Sequence, residues 1–358
     1  MSSSAPARLT LIVPELLWPE PADQIAYAGL ARDTAAGWLL ARRPLQRGAA
    51  RPYESVLASA FALNDPALAY FRRQGEESVP PAAGSASAAD ANWLCADPVH
   101  LRFHHERIVL ADAGAFELES SEAEALVADL NREFAEVGEF QLADARRWYL
   151  RLKTPVDHRS QPLSAVAGRR VDSELPADDA PLTRWLNEVQ MFLHLHPVNE
   201  RRQRSGQPAV NSLWLWGGGR ETRPPRRYTQ VWTNDPLAAG LAQAAGSPVA
   251  PLPTAAEVIA KARAGETQLL VLDPLLAPVL YENGDDWNRR WHELDRNWFA
   301  AIRAELGKAL TTVDLIAPTI FGELRWQFTG GERWQFWAGC RDLAALAQQL
   351  AGSPGSPD

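Results

Sequence analysis

Short, mostly apolar runs stand near both ends of the chain, at Leu9–Val13, Gln268–Leu272 and Val313–Ala317, with Ser212–Trp216 as a fourth. Such runs suit strands buried on both faces of a parallel sheet. Stretches with helical spacing lie between them. Ala22–Arg42 and Pro52–Arg73 are rich in Ala and Leu, and Pro66 divides the second into two helices, with Asn64 or Asp65 as the N-cap. Asp235–Ala245 is a helix capped by Asp235 with Pro236 at its first position, and Thr254–Ala264 is another capped helix. Asp285–Leu306 places Trp287, Trp291, Leu294, Trp298 and Ile302 on one core-facing stripe. Ile320–Phe328 and Arg333–Trp337 predict a hairpin around Gly330-Gly331, and Asp342–Leu350 a closing helix.

The middle of the chain has another texture. Gly75–Ala91 is rich in Pro, Gly, Ser and Ala without apolar period, and reads as a linker. Strand patterns come next at Trp93–Phe103, Arg107–Leu110, Glu139–Leu142 and Arg146–Leu152. They surround an amphipathic helix, Ser121–Phe134, capped by Ser120 or Ser121. Lys153–Asp179, with Gly168-Arg169-Arg170, is a long polar loop. The expected class is α/β: a doubly wound, mostly parallel sheet with an inserted smaller α+β domain. The expected divisions are 8–88 and 211–350 for the sheet domain, 89–210 for the insertion, and a disordered tail over 351–358.

Composition narrows the functions. A chain of 358 residues, 46% hydrophobic and 22% charged, has ample material for a core. Its net charge of -8 argues against a nucleic-acid surface. Two local basic clusters, Arg201, Arg202 and Arg204, and Arg223, Arg226 and Arg227, remain able to bind a small anion. The two cysteines, Cys95 and Cys340, lack metal-ligand spacing and read as reduced thiols of a cytoplasmic protein. No run approaches the roughly 20 apolar residues of a membrane span, so no membrane partner is expected. The apolar run at the N-terminus stops at Pro14, which predicts a strand and no export signal.

Candidate chemistry gathers along Arg184–Gly219. Ser212–Trp216 runs directly into Gly217, Gly218, Gly219 and Arg220; a glycine run after a buried strand lets amides approach an anion, or serves as a flexible turn. His194 and His196 lie about 200° apart on a helix and do not chelate one metal. His196 is a candidate pocket residue, with a helix cap as the alternative. Asp97 and His100 sit near alternating strand positions suited to acid–base work, or to an exposed edge beside His104 and His105. Asp273 ends a predicted strand, where carboxylates of α/β enzymes sit. No metal motif and no nucleophile elbow appears, and no cofactor is expected.

The segment running through His196-Pro197-Val198-Asn199 to Asn211 and Gly217-Gly218-Gly219 resembles archaeal-type cofactor-independent phosphoglycerate mutases, of the alkaline-phosphatase-like superfamily. DPVHLR at 97–102 and NSLWLWGGG at 211–219 together resemble bacterial regulatory proteins of the RpfE type. The mutase resemblance implies a two-metal core, a serine acceptor and an inserted lid. Pro14-Glu15 stands where that family has a metal-binding Asp followed by Gly. Asp273 lacks the following His, and Ala317-Pro318 replaces an Asp-His pair. Trp216 replaces an arginine, and no serine acceptor can be placed. The expectation is therefore a non-catalytic binding or regulatory protein of phosphoglycerate-mutase type. It would hold a small ligand, an anion included, or a protein partner, in a crevice between core and lid. His196, Asn199, Asn211, Trp214, Trp216, Gly217–Gly219 and Arg220 would line it, with no metal. The alternative is an active phosphotransferase with a rearranged site built on Asp97, His100, His196 and Asp273.

Overall fold

The computed structural model describes residues 7–30, 34–76, 92–104, 107–154, 156, 158, 160–168, 181–219, 222–262, 265–331 and 339–352. The chain forms two compact units, Met1–Phe61 with Pro224–Asp358, and Ala62–Arg223. The seams thus fall at 61/62 and 223/224, where the sequence pattern places them at 88/89 and 210/211.

The chain enters the first unit through β1 (Arg8–Ile12), α1 (Ala35–Leu40), β2 (Gln46–Gly48) and α2 (Tyr53–Ala60). It builds the second from α3 (Leu68–Gln74), β3 (Asn92–His104), β4 (Arg107–Asp112), α4 (Ser120–Glu133), β5 (Gly138–Leu142), β6 (Trp148–Leu152), α5 (Leu163–Val166), α6 (Pro181–His194), α7 (Pro197–Arg204) and β7 (Ser212–Trp216). It then returns with β8 (Gln230–Trp232), α8 (Pro236–Ala244), β9 (Val249–Ala250), α9 (Ala255–Ala260), β10 (Thr267–Val271), α10 (Leu276–Leu280) and α11 (Gly284–Leu294). A π turn (Asp295–Phe299), α12 (Ala300–Glu305), β11 (Thr312–Thr319), β12 (Gly322–Thr329) and α13 (Leu343–Gly352) complete it.

The first unit holds a seven-stranded sheet in the order β2-β12-β11-β1-β10-β8-β9. β1 lies parallel between β10 and β11, while β12 and β2 close one side antiparallel. Alternate residues fix its two faces. Leu9, Leu11, Leu270, Val313, Leu315, Leu324, Trp326 and Phe328 pack one face into the main core with Trp287 and Trp291. The second unit holds a five-stranded sheet, β4-β3-β6-β5, with β7 also on β3. Its own core gathers Leu94, Ala96, Leu126, Trp148, Trp185, Val189 and Leu213.

Four expectations are corrected. Ser212–Trp216 is a buried strand, but it joins β3 antiparallel in the smaller sheet, because Cys95 and Val99 of β3 pair with Trp216 and Ser212. Ala22–Arg42 is helical only over α1, since the region before it is a series of turns tied by Asp23 to the amides of Ile25 and Ala26. β12 pairs antiparallel with β11, a hairpin that the pattern does not anticipate; its expected partner Arg333–Trp337 lies outside the described residues, as does nearly all of the Gly75–Ala91 linker and the tail from 353. The fourth is the tryptophan stripe. The π turn adds a residue to the helix and rotates the next turn about the axis. Phe299 is buried beside Ile302, and Trp298 packs against the same core while only partly buried.

Caps differ in detail too. Asp235 and Thr254 cap α8 and α9 as read. α4 is instead capped by a reciprocal Glu119–Glu122 box, and α3 begins after Ala67 without a side-chain cap. Among the described residues no helix is long and apolar enough to cross a membrane.

The π turn has a visible use. It carries buried Asp295, whose carboxylate accepts from the amides of Ala35 and Ala36 at 3.1 and 2.8 Å. A carboxylate distant in sequence thus satisfies the first amides of α1. Asp295→Ala is expected to lower stability by about 2 kcal/mol, as loss of two charge-assisted bonds predicts, in equilibrium denaturant unfolding.

Candidate functional site

Asp97 is wholly buried on β3. Cys95, two residues earlier and therefore on the same sheet face, is flanked by Tyr149 on β6 and Trp216 on β7. α3 lays Arg72 over this row. The guanidinium sits 4.8 Å from the Tyr149 ring centroid and 4.9 Å from that of Trp216. It forks onto Asp97, with Nη1 at 2.9 Å from Oδ2 and Nη2 at 2.6 Å from Oδ1. Trp216 Nε1 donates to Asp97 Oδ2 at 2.8 Å, and the Trp148 amide lies 3.3 Å from Oδ1. Burial draws the Arg72 guanidinium down, but the Asp97 carboxylate outweighs it and holds it well above its ordinary value. The network continues outward. Arg72 Nε donates to the Tyr149 hydroxyl at 2.9 Å, which donates to Glu76 Oε1 at 2.8 Å, and Arg147 forks onto Glu76. Both oxygens of Asp97 are therefore engaged in bonds within this unit.

The other nominated residues of this unit are similarly engaged. His196 is the N-cap of α7: its Nδ1 accepts from the Val198 amide and its Nε2 lies 3.1 Å from Asp129 Oδ2. Asn199 is wholly buried and clamps the chain, donating to the carbonyls of Leu193 and Val210 at 2.7 Å and accepting from the Val210 amide at 2.9 Å. Asn211 pairs its side-chain amide with both the amide and the carbonyl of Leu101, like an extra strand residue. Trp214 Nε1 donates to the Gln161 carbonyl at 2.9 Å. His100 Nδ1 donates to the Ala209 carbonyl at 2.8 Å.

The glycine run does not form an open cradle. Gly217 has φ +77, and an added Cβ would come within 2.8 Å of the Ala69 amide nitrogen. Cβ atoms on Gly218 and Gly219 would likewise meet the carbonyl oxygens of His158 and Pro66 at 2.8 Å. These glycines let the chain pass close beside the start of α3. Arg220 lies outside the described residues. Of the basic cluster 201–204, Arg202 is buried against Pro208, Glu117 and Glu122, so it holds the fold.

Asp273 belongs to the larger unit, just past β10. Glu15 follows β1 with φ +55, and its carbonyl accepts from Trp287 Nε1 at 2.9 Å. Asp235 follows β8 and caps α8, accepting from the Ala238 amide at 2.7 Å. Tyr53, at the start of α2, is buried. Its hydroxyl is pushed well above the usual range, first by burial and then by the charges of Asp235, Asp273 and Glu54. Burial likewise raises Asp273, and its own amide and Arg290 only partly counter this. Carboxylates therefore do gather at the carboxyl ends of parallel strands. Among the described residues, however, no three His, Cys, Asp or Glu side chains are grouped so as to hold a metal ion. Sequence reasoning misses Tyr53, Glu54 and Asp235 here, and Arg72, Glu76, Arg147 and Tyr149 in the other unit. The one available signal is the pairing of charges with aromatics in Tyr70-Phe71-Arg72-Arg73 and Arg147-Trp148-Tyr149.

The 2,3-bisphosphoglycerate-independent phosphoglycerate mutase of Methanosarcina mazei is 29% identical over 134 residues, 35% of this chain and 34% of that protein. That of Pyrococcus horikoshii is 35% identical over 51 residues, 14% of this chain and 12% of its own. The chain thus matches about a third or less of the length of these curated relatives. No protein-family model matches. Among solved structures, the PH0037 protein of Pyrococcus horikoshii superposes over 99% of this chain and 100% of its own, with a TM-score of 0.54 at 13% identity. The cofactor-independent phosphoglycerate mutase of Thermoplasma acidophilum gives 0.40 at 16% identity, over 96% and 100%. The fold is a mixed α/β fold with a mostly parallel sheet, shared with the PH0037 protein. Over about a third of its length the sequence is weakly homologous to archaeal cofactor-independent phosphoglycerate mutases.

Two outcomes test these assignments. Asp97→Ala leaves a buried guanidinium uncompensated and is expected to cost roughly 3–5 kcal/mol in denaturant unfolding, while Asp97→Leu combined with Arg72→Leu recovers most of it. For Asp273, a raised carboxyl pKa means the folded state favours the neutral acid. Its ionisation then costs stability as pH rises through the folded-state value. Asp273→Asn is expected to raise the melting temperature at neutral pH, with the gain closing as the solution is acidified into the ordinary carboxylate range. A neutral-pH loss of stability would contradict the assignment.

Proposed function

We propose that this chain is a non-catalytic relative of the phosphoglycerate mutases with a binding or regulatory role. The observation that carries the reading is the employment of the nominated residues. Asp97, His196, Asn199, Asn211 and Trp216 spend their polar atoms on internal bonds. The sequence departures at Pro14-Glu15, Asp273-Pro274 and Ala317-Pro318 favour the same conclusion. The likeness of DPVHLR and NSLWLWGGG to regulatory proteins of the RpfE type favours the regulatory half of it. A cytoplasmic setting fits Cys95 and Cys340, which form no disulfide among the described residues.

The competing reading, a phosphotransferase with a rearranged site, draws on Asp273. Its raised carboxyl is the kind of group that moves protons in α/β enzymes. One experiment separates the two. The purified chain is incubated with zinc, manganese or magnesium, then assayed for bound metal and for interconversion of 2- and 3-phosphoglycerate. The proposal expects substoichiometric metal and no turnover above a metal-only blank. Stoichiometric metal with turnover that Asp273→Asn abolishes would overturn it.

A further inference from the structure

The larger sheet has one face in the main core, but its other face is only partly roofed. At β1, β11 and β12 that face shows Thr10, Asp314, Arg325 and Gln327 in place of the Leu, Val and Trp of the core side. These residues floor an open cleft of about 540 Å³, walled by Ser59 and neighbours on α2 and by Arg227 and Tyr228. Arg8 and Thr267, the first residues of β1 and β10, also line it. The cleft therefore lies toward the amino ends of the parallel strands, away from Asp235 and Asp273 at their carboxyl ends.

Its charge runs against that of the chain. Overall the protein carries -8, yet three guanidinium groups line the cleft against the single carboxylate of Asp314. Two of the three are already oriented. Arg8 Nε lies 2.7 Å from Asp314, whose other oxygen accepts from Gln327 Nε2 at 2.8 Å, and Arg325 is braced by Glu323. Arg227 is exposed and has no ion-pair or hydrogen-bond partner among the described residues. Polar groups complete the lining. The Ser59 hydroxyl accepts from Arg51 at 2.6 Å and keeps its own proton to donate to an anion, while the Tyr228 hydroxyl gives its proton to the Ala60 carbonyl. Arginine forks match oxyanions, and the volume is in the range of small-molecule sites.

We propose that this cleft binds a compact dianionic oxyanion, a phosphate monoester or a dicarboxylate, gripped between braced Arg8 and Arg325 and the unbraced Arg227. The site stands independently of whether the strand ends are catalytic.

The test is isothermal titration of the full chain with glycerol phosphate, inorganic phosphate and malonate, with glycerol as the uncharged control. At least one dianion should bind saturably and glycerol should not. The arm that binds tells phosphate from dicarboxylate. Arg227→Gln should weaken binding roughly 10-fold or more, and added KCl should weaken it further. Arg226→Gln, exposed on the neighbouring residue but outside the cleft, should leave binding unchanged. Absence of saturable binding by every dianion up to about 10 mM would overturn the proposal. So would equal affinity in wild type and Arg227→Gln, or an equal loss in Arg226→Gln.

Discussion

The smaller unit is arranged around the ion pair between Arg72 and Asp97. Both groups are nearly or wholly removed from water, and neither would be tolerated there alone. Everything around them answers that cost. β6 and β7 flank β3 so that Tyr149 and Trp216 provide ring faces for the guanidinium. Trp216 adds its indole N–H to the carboxylate. The start of α3 must then lie close to the chain leaving β7, which is why Gly217 has no room for a side chain. Trp216 and Gly217, which look like part of a ligand loop in the sequence, are tied to one buried charge pair.

The larger unit is governed by a different constraint. Its sheet must bury one face completely, and the tryptophans of α11 supply the covering mass. A helix long enough to cross that core would lose register with it, since 3.6 residues per turn drift against a flat surface. The π turn absorbs the drift, brings Phe299 inward and frees Asp295 to cap α1. One irregular turn thus serves packing at its apolar residues and hydrogen bonding at its acidic one.

These two constraints set how far the residues alone can be read. Strands, helices and their type are legible wherever local periodicity decides them: β1, β10, β11, α4 and α8 sit within a few residues of expectation. Sheet membership is not legible for Ser212–Trp216, because an apolar run of that length suits a parallel core strand and a doubly covered antiparallel one equally well. Only the cross-strand partners at Cys95 and Val99 decide it. The candidate site suffers from the same gap. Asp97, His196 and Asn199 stand out as unusual polar residues, but their partners, Arg72, Asp129 and Val210, lie 11 to 67 residues away. A buried polar residue that is satisfied looks identical, in one dimension, to one that is waiting for a substrate.

Chemistry remains available only where hydrogen bonding is incomplete. A polar side chain already carrying its full set of bonds has little left for a ligand, whereas one held in place by some bonds and open at others is pre-organised for binding. Asp97 and Asn199 are of the first kind. Arg8 and Arg325 are of the second: each is braced by a carboxylate, yet each is about half exposed, at 49% and 47% of its side chain. Arg227 beside them supplies charge without a brace. It comes from a basic cluster that the sequence makes conspicuous but cannot aim. In an acidic protein, that asymmetry is what singles out the amino-end cleft for the proposed anion.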